Sequence, residues 1–439
     1  MFAESRREEA TAIVEVPRRE RKRVVIIGGG FAGIAAAHAL RHADADVLLI
    51  DRRNHHIFQP LLYQVATAVL SPAEIAAPIR QLEAKQQNVT VLLAEVTGVD
   101  VASRTIEVAS PGGARKIAFD YLVVATGMRP NYFGHDEFAR YAPGLKSLGD
   151  AETIRAKILG AFELAAMTED EGERARQMTF VLVGAGATGV ELAGSLAGLV
   201  QVTLRGNFRR IDPSKSTIIL LDAGNRVLPT FAEPLSRRVT RRLTKLGVKV
   251  LTGVKVETVD EQGVVAGGRR IPSATVVWTA GVAASPIPRM LGTKTDRAGR
   301  ALVDPFLKVV EAPGVFVAGD AASIMQNGHP VPGVAQAAIQ EGQYVGRLIA
   351  SELKGREVKR PFHYFDKGNM AVVGKNYAVL ERGSLRTGGF LTWLVWAFVH
   401  ILSLPQLQNR LRVQRQWVWS YFTGQRSSRL IPETHEPDH

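Results

Sequence analysis

Two copies of one glycine pattern occur in this chain, each directly after an apolar run and directly before a run typical of a helix. They read RVVIIGGGFAGIAAA and FVLVGAGATGVELAG, and both have the spacing G-x-G-x-x-G. Their glycines are Gly28, Gly30, Gly33, Gly184, Gly186 and Gly189. The first glycine permits a tight turn, the second lets the backbone approach a diphosphate, and the third lets the helix pack close to the strand. The free N–H groups and the dipole at the helix start attract the anion. The sequence therefore predicts two nucleotide sites, and two nucleotides on one chain indicate electron transfer between them.

Each predicted unit also has an acidic residue where its next strand ends. A carboxylate at that position accepts hydrogen bonds from a nucleotide ribose. VLLIDRR supplies Asp51, and TIILLDAG supplies Asp222. The second gap is longer than usual, and residues 201–215 are expected to form an extended loop within it. Because a carboxylate repels the 2′-phosphate of NADP, Asp222 favours NAD as the second nucleotide.

Composition limits the chemistry of this chain. Its 439 residues include no cysteine, which excludes a redox disulfide, a cysteine-ligated iron–sulfur cluster and a thiolate nucleophile. No metal site is predicted. The net charge of +13 favours an anionic partner, either nucleic acid or acidic lipid. No nucleic-acid-binding module is recognisable, so acidic lipid is the better candidate. Residues 1–22 are expected to be a charged flexible tail without a secretory signal.

The order of the segments predicts an α/β protein with two nested Rossmann-like dinucleotide-binding domains and a C-terminal amphipathic, membrane-associating region. Strand-like runs end at Gly127 and Gly281 in matching places of the two units, and GVFVAGDAA returns to close the first. The predicted first nucleotide domain comprises residues 23–130 and 300–355, the second comprises 131–299, and the C-terminal region comprises 356–439.

Several longer segments make the chain similar to a known family. They are HHIFQPLLYQVATA, DYLVVATGMRPNYFG, AQAAIQEG, FDKGNMAVVGKNYAV and the tryptophan-rich end at 389–431. In these segments the chain resembles the type II NADH:quinone oxidoreductases of the two-dinucleotide flavoprotein superfamily, and the resemblance runs from about residue 22 to residue 431. It implies that the first domain binds FAD and that the second binds NADH.

The resemblance also implies individual site residues. The FAD-binding set is Gly28, Gly30, Gly33, Asp51, Thr126, Gly127, Gly319, Asp320, Ala335 and Gln336. The NADH-binding set is Gly184, Gly186, Gly189, Glu191, Asp222 and Gly281. Glu191 matches the family's acidic residue near the nicotinamide, and the predicted catalytic residues are Glu191, Gln336 and Gln340.

The segment AQAAIQEG resembles the quinone site of the family. Gln336 and Gln340 are four residues apart and share one helix face, and the alanines around them leave room for a flat ring. Their amide N–H groups can donate to a quinone carbonyl or to the flavin edge. Lys367, in the FDKG segment, is the third predicted quinone residue. Glu341 is expected to be a solvated charge.

The C-terminal region is predicted to lie on a membrane. Residues 388–405 are strongly apolar but too few to cross a bilayer before Pro405. Residues 406–422 are amphipathic. The apolar arc holds Leu407, Leu411, Trp417, Val418, Tyr421 and Phe422, and the polar arc holds Gln408, Asn409, Arg412, Arg415, Gln416 and Ser420. Tryptophan and tyrosine beside arginine suit the headgroup layer. We expect peripheral attachment at the cytoplasmic face of the inner (plasma) membrane, and a core or homodimer interface is the alternative.

Together these features predict a flavoenzyme that oxidises NADH through FAD and reduces a membrane quinone by two electrons, without proton pumping. Two alternatives stay open from the sequence. One is a reductase of ferredoxin or rubredoxin on the same scaffold, and the other is a membrane-bound nucleotide sensor without turnover.

Overall fold

The computed structural model describes residues 21–431. The predicted charged tail therefore lies outside the described residues, apart from its last two positions. Lys22 already belongs to the first strand, so the ordered fold begins slightly earlier than predicted.

The strands are numbered β1 to β26 in chain order. They are Lys22–Ile27, Ala45–Asp51, His55–Ile57, Ala76–Pro78, Val89–Leu93, Glu95–Asp100, Thr105–Ser110, Gly113–Ala118, Tyr121–Val124, Met128–Pro130, Thr179–Val183, Thr217–Asp222, Val248–Thr252, Val256–Asp260, Gly263–Ala266, Arg269–Pro272, Thr275–Trp278, Val282–Ala284, Ala301–Leu302, Val315–Val317, Ala322–Ser323, Met325–Gln326, His329–Pro330, Asn369–Val372, Ala378–Arg382 and Leu385–Gly389.

The α-helices are numbered α1 to α12 in the same way. They are Phe31–Ala39, Leu62–Ala66, Pro72–Ile75, Ile79–Leu82, Leu148–Met167, Glu171–Gln177, Ala187–Gly198, Glu233–Lys245, Ile287–Met290, Ala335–Glu352, Phe390–Ser403 and Leu407–Thr423.

The first of two compact units comprises the described residues up to His56, Ala77–Arg129 and Val282–Asp366. Its central sheet is parallel, with the strand order β20-β9-β1-β2-β5. β20 is buried throughout and β1 over nearly its whole length, as expected for a parallel sheet covered on both faces. The late strand β20 pairs with β9, so the chain returns to close this sheet as the sequence predicted.

The second unit comprises Ile57–Ala76, Pro130–Gly281 and the described residues from Lys367 onward. Its parallel sheet has the order β13-β12-β11-β17. Two antiparallel sheets, β14-β15-β16 and β24-β25-β26, belong to the same unit. Each unit thus contains a parallel sheet whose first strand runs into a helix through a glycine loop.

The boundaries of these two compact units differ from the boundaries predicted for the ligand-binding domains. The first unit resumes at Val282 rather than at residue 300, and the C-terminal helices pack within the second unit. The domain limits by ligand stay a prediction. The extended loop expected at residues 201–215 instead begins in a π-helix, Leu199–Thr203, and contains a 3₁₀ turn at Pro213–Lys215.

Candidate functional site

The first glycine loop has the shape that a diphosphate requires. Gly28 has a φ of +108°, a left-handed conformation that favours glycine, and a Cβ on Gly33 would collide with the Gly28 carbonyl oxygen. A Cβ on Gly30 would meet nothing within 4 Å. Gly30 is also the N-cap of α1, whose first turn has neither an acidic residue nor a side-chain cap. The space beside Gly30, at the positive end of the α1 dipole, therefore fits a bound anion.

Asp51 is fixed beside this loop by backbone hydrogen bonds. Its Oδ2 accepts from the Gly29 N–H at 2.7 Å, and its Oδ1 accepts from the Arg53 N–H at 2.8 Å. The His56 ring lies 3.0 Å from the Gly29 carbonyl oxygen through Nδ1, and burial lowers the pKa of this imidazole. His56 was not among the residues predicted from the sequence, although it stands in the segment HHIFQPLLYQVATA.

A second group of predicted residues follows β9 and β20, which are neighbours in the parallel sheet of the first unit. Gly319 and Asp320 form a short 3₁₀ turn directly after β20. Thr126 follows β9, and its hydroxyl lies 2.6 Å from that of Ser285. Gly127 has a φ of +63°, so the chain turns sharply there. Because β9 and β20 are neighbours in one parallel sheet, their carboxyl ends meet at the same edge.

Glu341 differs from its predicted state. It was expected to be solvated, yet it is only 3% exposed. Its Oε2 accepts from the Gly319 N–H at 2.5 Å, and burial raises the pKa of the carboxyl to about 8. The helical pattern of AQAAIQEG does not reveal which polar residue faces a neighbouring turn.

Helix α10 begins at Ala335 and carries both predicted glutamines. Gln340 donates to the carbonyl oxygens of Gln336 at 3.1 Å and Phe365 at 3.0 Å, and its Oε1 accepts from the Phe365 N–H. The amide of Gln340 thus makes hydrogen bonds within the protein, and its role at a quinone stays a prediction. Lys367 is an exposed residue of the second unit.

The second glycine loop repeats the construction of the first. Gly184 has a φ of +103°, and Gly186 is the N-cap of α7, where a Cβ would meet nothing within 4 Å. A Cβ on Gly189 would collide with the Gly184 carbonyl oxygen. Asp222 accepts from the Ala185 N–H at 2.5 Å, as Asp51 does from the residue after the first glycine of its own loop.

Asp222 also accepts from the Gly224 N–H at 2.7 Å, so both oxygens are held at the end of β12. The long sequence gap before Asp222 does not disturb this placement. Gly281, with a φ of +77°, lies against the Phe133 ring, where a Cβ would collide.

Glu191, from α7, lines a cavity of about 210 Å³ in the second unit. Its Oε1 accepts from the Val372 N–H at 3.3 Å, and burial raises the pKa of this carboxyl to about 8. The burial of Glu191 and its place in the cavity wall were not predicted from the sequence. The other polar and aromatic lining residues include Tyr63, Gln64, Trp393, Trp396, Trp417, Tyr421 and Arg426.

Hydrogen bonds and ring stacking fix the walls of this cavity. Trp417 donates from Nε1 to Gln64 Oε1 at 2.7 Å, and the rings of Trp396 and Trp417 stack with centroids 5.2 Å apart. Arg426 donates to the carbonyl oxygens of Thr67 at 2.7 Å and Ser195 at 2.9 Å. Three of the segments singled out in the sequence contribute lining residues to this cavity: HHIFQPLLYQVATA, FDKGNMAVVGKNYAV and the tryptophan-rich end.

The C-terminal helices turn their apolar faces outward. The exposed side chains of α11 include Phe390, Leu391, Leu394, Val395, Phe398 and Leu402, and those of α12 include Leu407, Leu411, Val418 and Phe422. Trp417 and Tyr421, predicted on the same arc, line the cavity instead. Among residues 21–431 no helix combines the length and the apolar character that spanning a bilayer requires.

Asn409 also differs from its predicted state. It was expected on the polar, solvated arc, but it is buried. Its Nδ2 lies 3.0–3.2 Å from the carbonyl oxygens of Ala73, Glu74 and Ala76, which share its two N–H donors. Asn409 therefore attaches α12 to the segment around α3, which helical periodicity alone does not show.

Each of the two glycine loops donates a backbone hydrogen bond to the aspartate at the end of the next strand. This repeated arrangement is typical of α/β proteins with two dinucleotide-binding domains. The family model described as pyridine nucleotide-disulphide oxidoreductase matches residues 22–342. The type II NADH:quinone oxidoreductase NdhA of Mycobacterium tuberculosis is 44% identical over 94% of this chain and 89% of its own length. The type II NADH:quinone oxidoreductase Ndh of the same organism is 44% identical over 98% of this chain and 93% of its own.

The fold has a solved counterpart in NDH2 from Plasmodium falciparum, whose structure was determined in complex with NADH. It is 21% identical, has a TM-score of 0.84, and covers 94% of this chain and 100% of that chain. The chain belongs to the type II NADH:quinone oxidoreductases, within the pyridine nucleotide-disulphide oxidoreductase family. The family, the enzyme class and the α/β fold predicted from the sequence are thereby confirmed. The disulphide in the wider family's description has no counterpart here, since the chain contains no cysteine.

Proposed function

We propose that this chain oxidises NADH through FAD and reduces a membrane quinone by two electrons, as a peripheral enzyme that pumps no protons. The observation that carries the proposal is the pair of glycine loops, each of which donates a backbone hydrogen bond to the aspartate at the end of the following strand. The activity for which the two mycobacterial relatives are named supports it. FAD, when bound, supplies the chemistry that accepts a hydride and releases two electrons to the quinone.

The first unit fits FAD. The open start of α1 at Gly30 would bind the diphosphate, and Asp51 would accept from the ribose hydroxyls. The residues that would complete this site are Gly28, Gly33, Thr126, Gly127, Gly319, Asp320, Ala335 and Gln336. We keep residues 23–130 and 300–355 as the proposed FAD-binding domain.

The second unit fits NADH. Gly186, at the start of α7, offers the same open backbone, and Asp222 presents a carboxylate where NADP would place its 2′-phosphate. We therefore propose a preference for NADH over NADPH. The further residues of this site are Gly184, Gly189, Glu191 and Gly281, within a proposed domain at 131–299.

For the quinone we propose two places on this chain. Gln336 and Gln340 of α10 are the first, and Gln340 would act there by holding the backbone at Phe365. Lys367, which belongs to the second unit, stays a separate prediction as a quinone residue. The cavity beside Glu191 is the second, because its stacked indoles suit a flat ring. With a pKa of about 8, Glu191 retains its proton at pH 7. As the quinone takes up two electrons from the reduced flavin it also needs two protons, and Glu191 would donate one of them while solvent supplies the other.

For the membrane we propose that residues 356–439 provide the contact. The outward apolar side chains of α11 and α12 would enter the lipid interface, each contributing roughly 1.5–3 kcal/mol when fully buried. Exposed Arg382 and Arg386, in the hairpin that leads into α11, would face anionic headgroups. The cytoplasmic face of the inner membrane is the proposed location. A second copy of the chain is the competing occupant of this apolar face.

The activity is tested with purified protein under anaerobic conditions. NADH should bleach the flavin absorbance, and a short-chain quinone should restore it without further protein. Gly186→Val fills the open backbone of the second loop, so it should prevent bleaching by NADH while the flavin stays bound. Gly160→Ala is the control, since that helical position also has nothing within 4 Å of a Cβ but lies in α5.

Three results would contradict the proposal. A flavin that NADH does not reduce would remove the donor. A reduced flavin that only a small iron–sulfur protein reoxidises would favour the ferredoxin-reductase alternative. Nucleotide binding without turnover would favour the sensor. Co-flotation with anionic vesicles tests the membrane contact separately, and dimer formation without flotation would assign the apolar face to a second copy.

A further inference from the structure

Glu341 is a buried acid to which the proposed reaction assigns no role. It lies in the middle of α10 and is 3% exposed. Its Oε2 accepts a hydrogen bond from the Gly319 N–H at 2.5 Å. Arg300 is a charge of opposite sign that acts on it, while burial and Asp320 oppose its ionisation. A buried acid aimed at a backbone N–H costs desolvation, so the contact itself needs an explanation.

The contact holds a glycine turn that lies close to both α1 and α10. Gly319 has a φ of +71°, and a Cβ there would lie 3.2 Å from that of Ala32 and 3.4 Å from that of Ala338. Asp320 is the next residue of the same turn, Gly319–Ala321. A shift of the Gly319 N–H would therefore move Asp320.

Helix α10 provides a fixed base for this contact. Gly342 and Gly346 face α1 so closely that a Cβ on Gly342 would collide with the Ala32 carbonyl oxygen, and one on Gly346 would lie 2.6 Å from the Ala36 carbonyl oxygen. The position of Glu341 is thus set relative to α1, the helix whose open start is the diphosphate site. Glu341 thus connects α10 to the turn after β20, while Gly342 and Gly346 hold α10 close to α1.

We propose that Glu341 is a positioning residue of the FAD site, which fixes the Gly319–Ala321 turn so that Asp320 meets the cofactor. This inference rests on the proposed binding of FAD to the first unit.

The protonation state of Glu341 suits this role. With a pKa of about 8, the carboxyl is neutral at pH 7, so its carbonyl oxygen accepts from Gly319 without placing a second negative charge near Asp320 or the diphosphate.

The pH dependence follows from the charges around Glu341. Asp320 on the turn disfavours its ionised form, Arg300 favours it, and Glu341 in turn acts on Tyr364 of the segment before β24. A bound diphosphate adds negative charge, so FAD should bind more tightly to the protonated form. Affinity for FAD should accordingly fall as the pH rises from about 7 to about 9.

Two substitutions separate the hydrogen bond from the charge. Glu341→Gln keeps an acceptor for the Gly319 N–H and removes the charge, whereas Glu341→Met keeps the side-chain length and removes the acceptor. Glu352→Gln is the matched control, because Glu352 is an acid of the same helix that pairs with Lys308 instead. The readouts are the Kd for FAD, titrated into apoprotein, and hydrogen exchange of the peptide that contains Gly319.

We expect Glu341→Met to weaken FAD binding by about tenfold or more and to speed exchange at Gly319. Glu341→Gln should bind FAD within about threefold of the parent at pH 7, and its Kd should stay flat from about pH 7 to about 9. Glu352→Gln should match the parent throughout.

The inference is overturned if Glu341→Met binds FAD like the parent with unchanged exchange. Should Glu341→Met fail to fold, a Glu341→Gln profile as steep as the parent's would overturn it instead. A parent protein that binds no FAD would contradict the proposed function, which is a separate result.

Discussion

Two glycines of the first loop should fail in different ways when each is replaced by alanine. A Cβ on Gly33 would collide with the Gly28 carbonyl oxygen, and real Cβ atoms keep at least 3.0 Å from such an atom. The start of α1 would have to move away from the strand by on the order of 1 Å, and overpacking of this kind costs about 1–3 kcal/mol. A Cβ on Gly30 meets nothing within 4 Å, and its backbone is extended rather than left-handed, so folding should not suffer. The space that it fills is the one assigned to the diphosphate.

The assay is urea unfolding of the apoprotein together with a FAD titration. Gly33→Ala should lower the free energy of unfolding by about 1–3 kcal/mol and also weaken FAD binding. Gly30→Ala should leave the free energy of unfolding within about 1 kcal/mol of the parent and weaken FAD binding by more than about tenfold. If Gly30→Ala binds FAD like the parent, or if the two variants are equally destabilised as apoproteins, the reasoning about this loop is refuted.

Three further predictions concern other parts of the chain. Asp222→Ala should lower the preference for NADH over NADPH by about tenfold or more in kcat/KM, and an unchanged ratio would show that Asp222 does not select the nucleotide. Asn409→Ala leaves three backbone carbonyls without their donor, so the free energy of unfolding should drop by about 1–3 kcal/mol; a loss below about 0.5 kcal/mol would contradict this. Glu191 has a raised pKa and holds its proton below about 8, so quinone reduction by the parent should slow as the pH rises through 8. Glu191→Gln should reduce quinone more slowly and lose that pH step, and a step that persists would assign it to another group.

The glycine loops and their aspartates could be predicted because local geometry demands them. The position of Gly28 needs a left-handed φ, and that of Gly33 excludes any Cβ, so the pattern is fixed by the turn itself. The hydrogen bond from the Gly29 N–H to Asp51 follows from the register of β1 with β2. Even the longer gap before Asp222 did not matter, because the parallel register of β11 with β12 fixes where that strand ends.

The misjudged residues depend on tertiary partners that the sequence does not display. Glu341 and Asn409 are polar residues on helices, and solvent exposure is their usual state. Each is buried because a backbone group from a distant segment meets it, Gly319 in one case and the segment around α3 in the other. Trp417 has an apolar helix position in the sequence, but its indole N–H pairs with Gln64, and the ring lines the cavity instead of the exposed apolar face of α12. Periodicity predicts a face and does not predict what covers it.

The most direct measurement of the central claim is anaerobic stopped-flow absorbance of the flavin, with NADH in the first mixing step and a short-chain quinone in the second. We predict rapid bleaching by NADH, recovery of the oxidised spectrum with one quinone consumed per flavin, and no bleaching in Gly186→Val. A flavin that NADH leaves oxidised, or one that NADH reduces equally well in Gly186→Val, would contradict the claim.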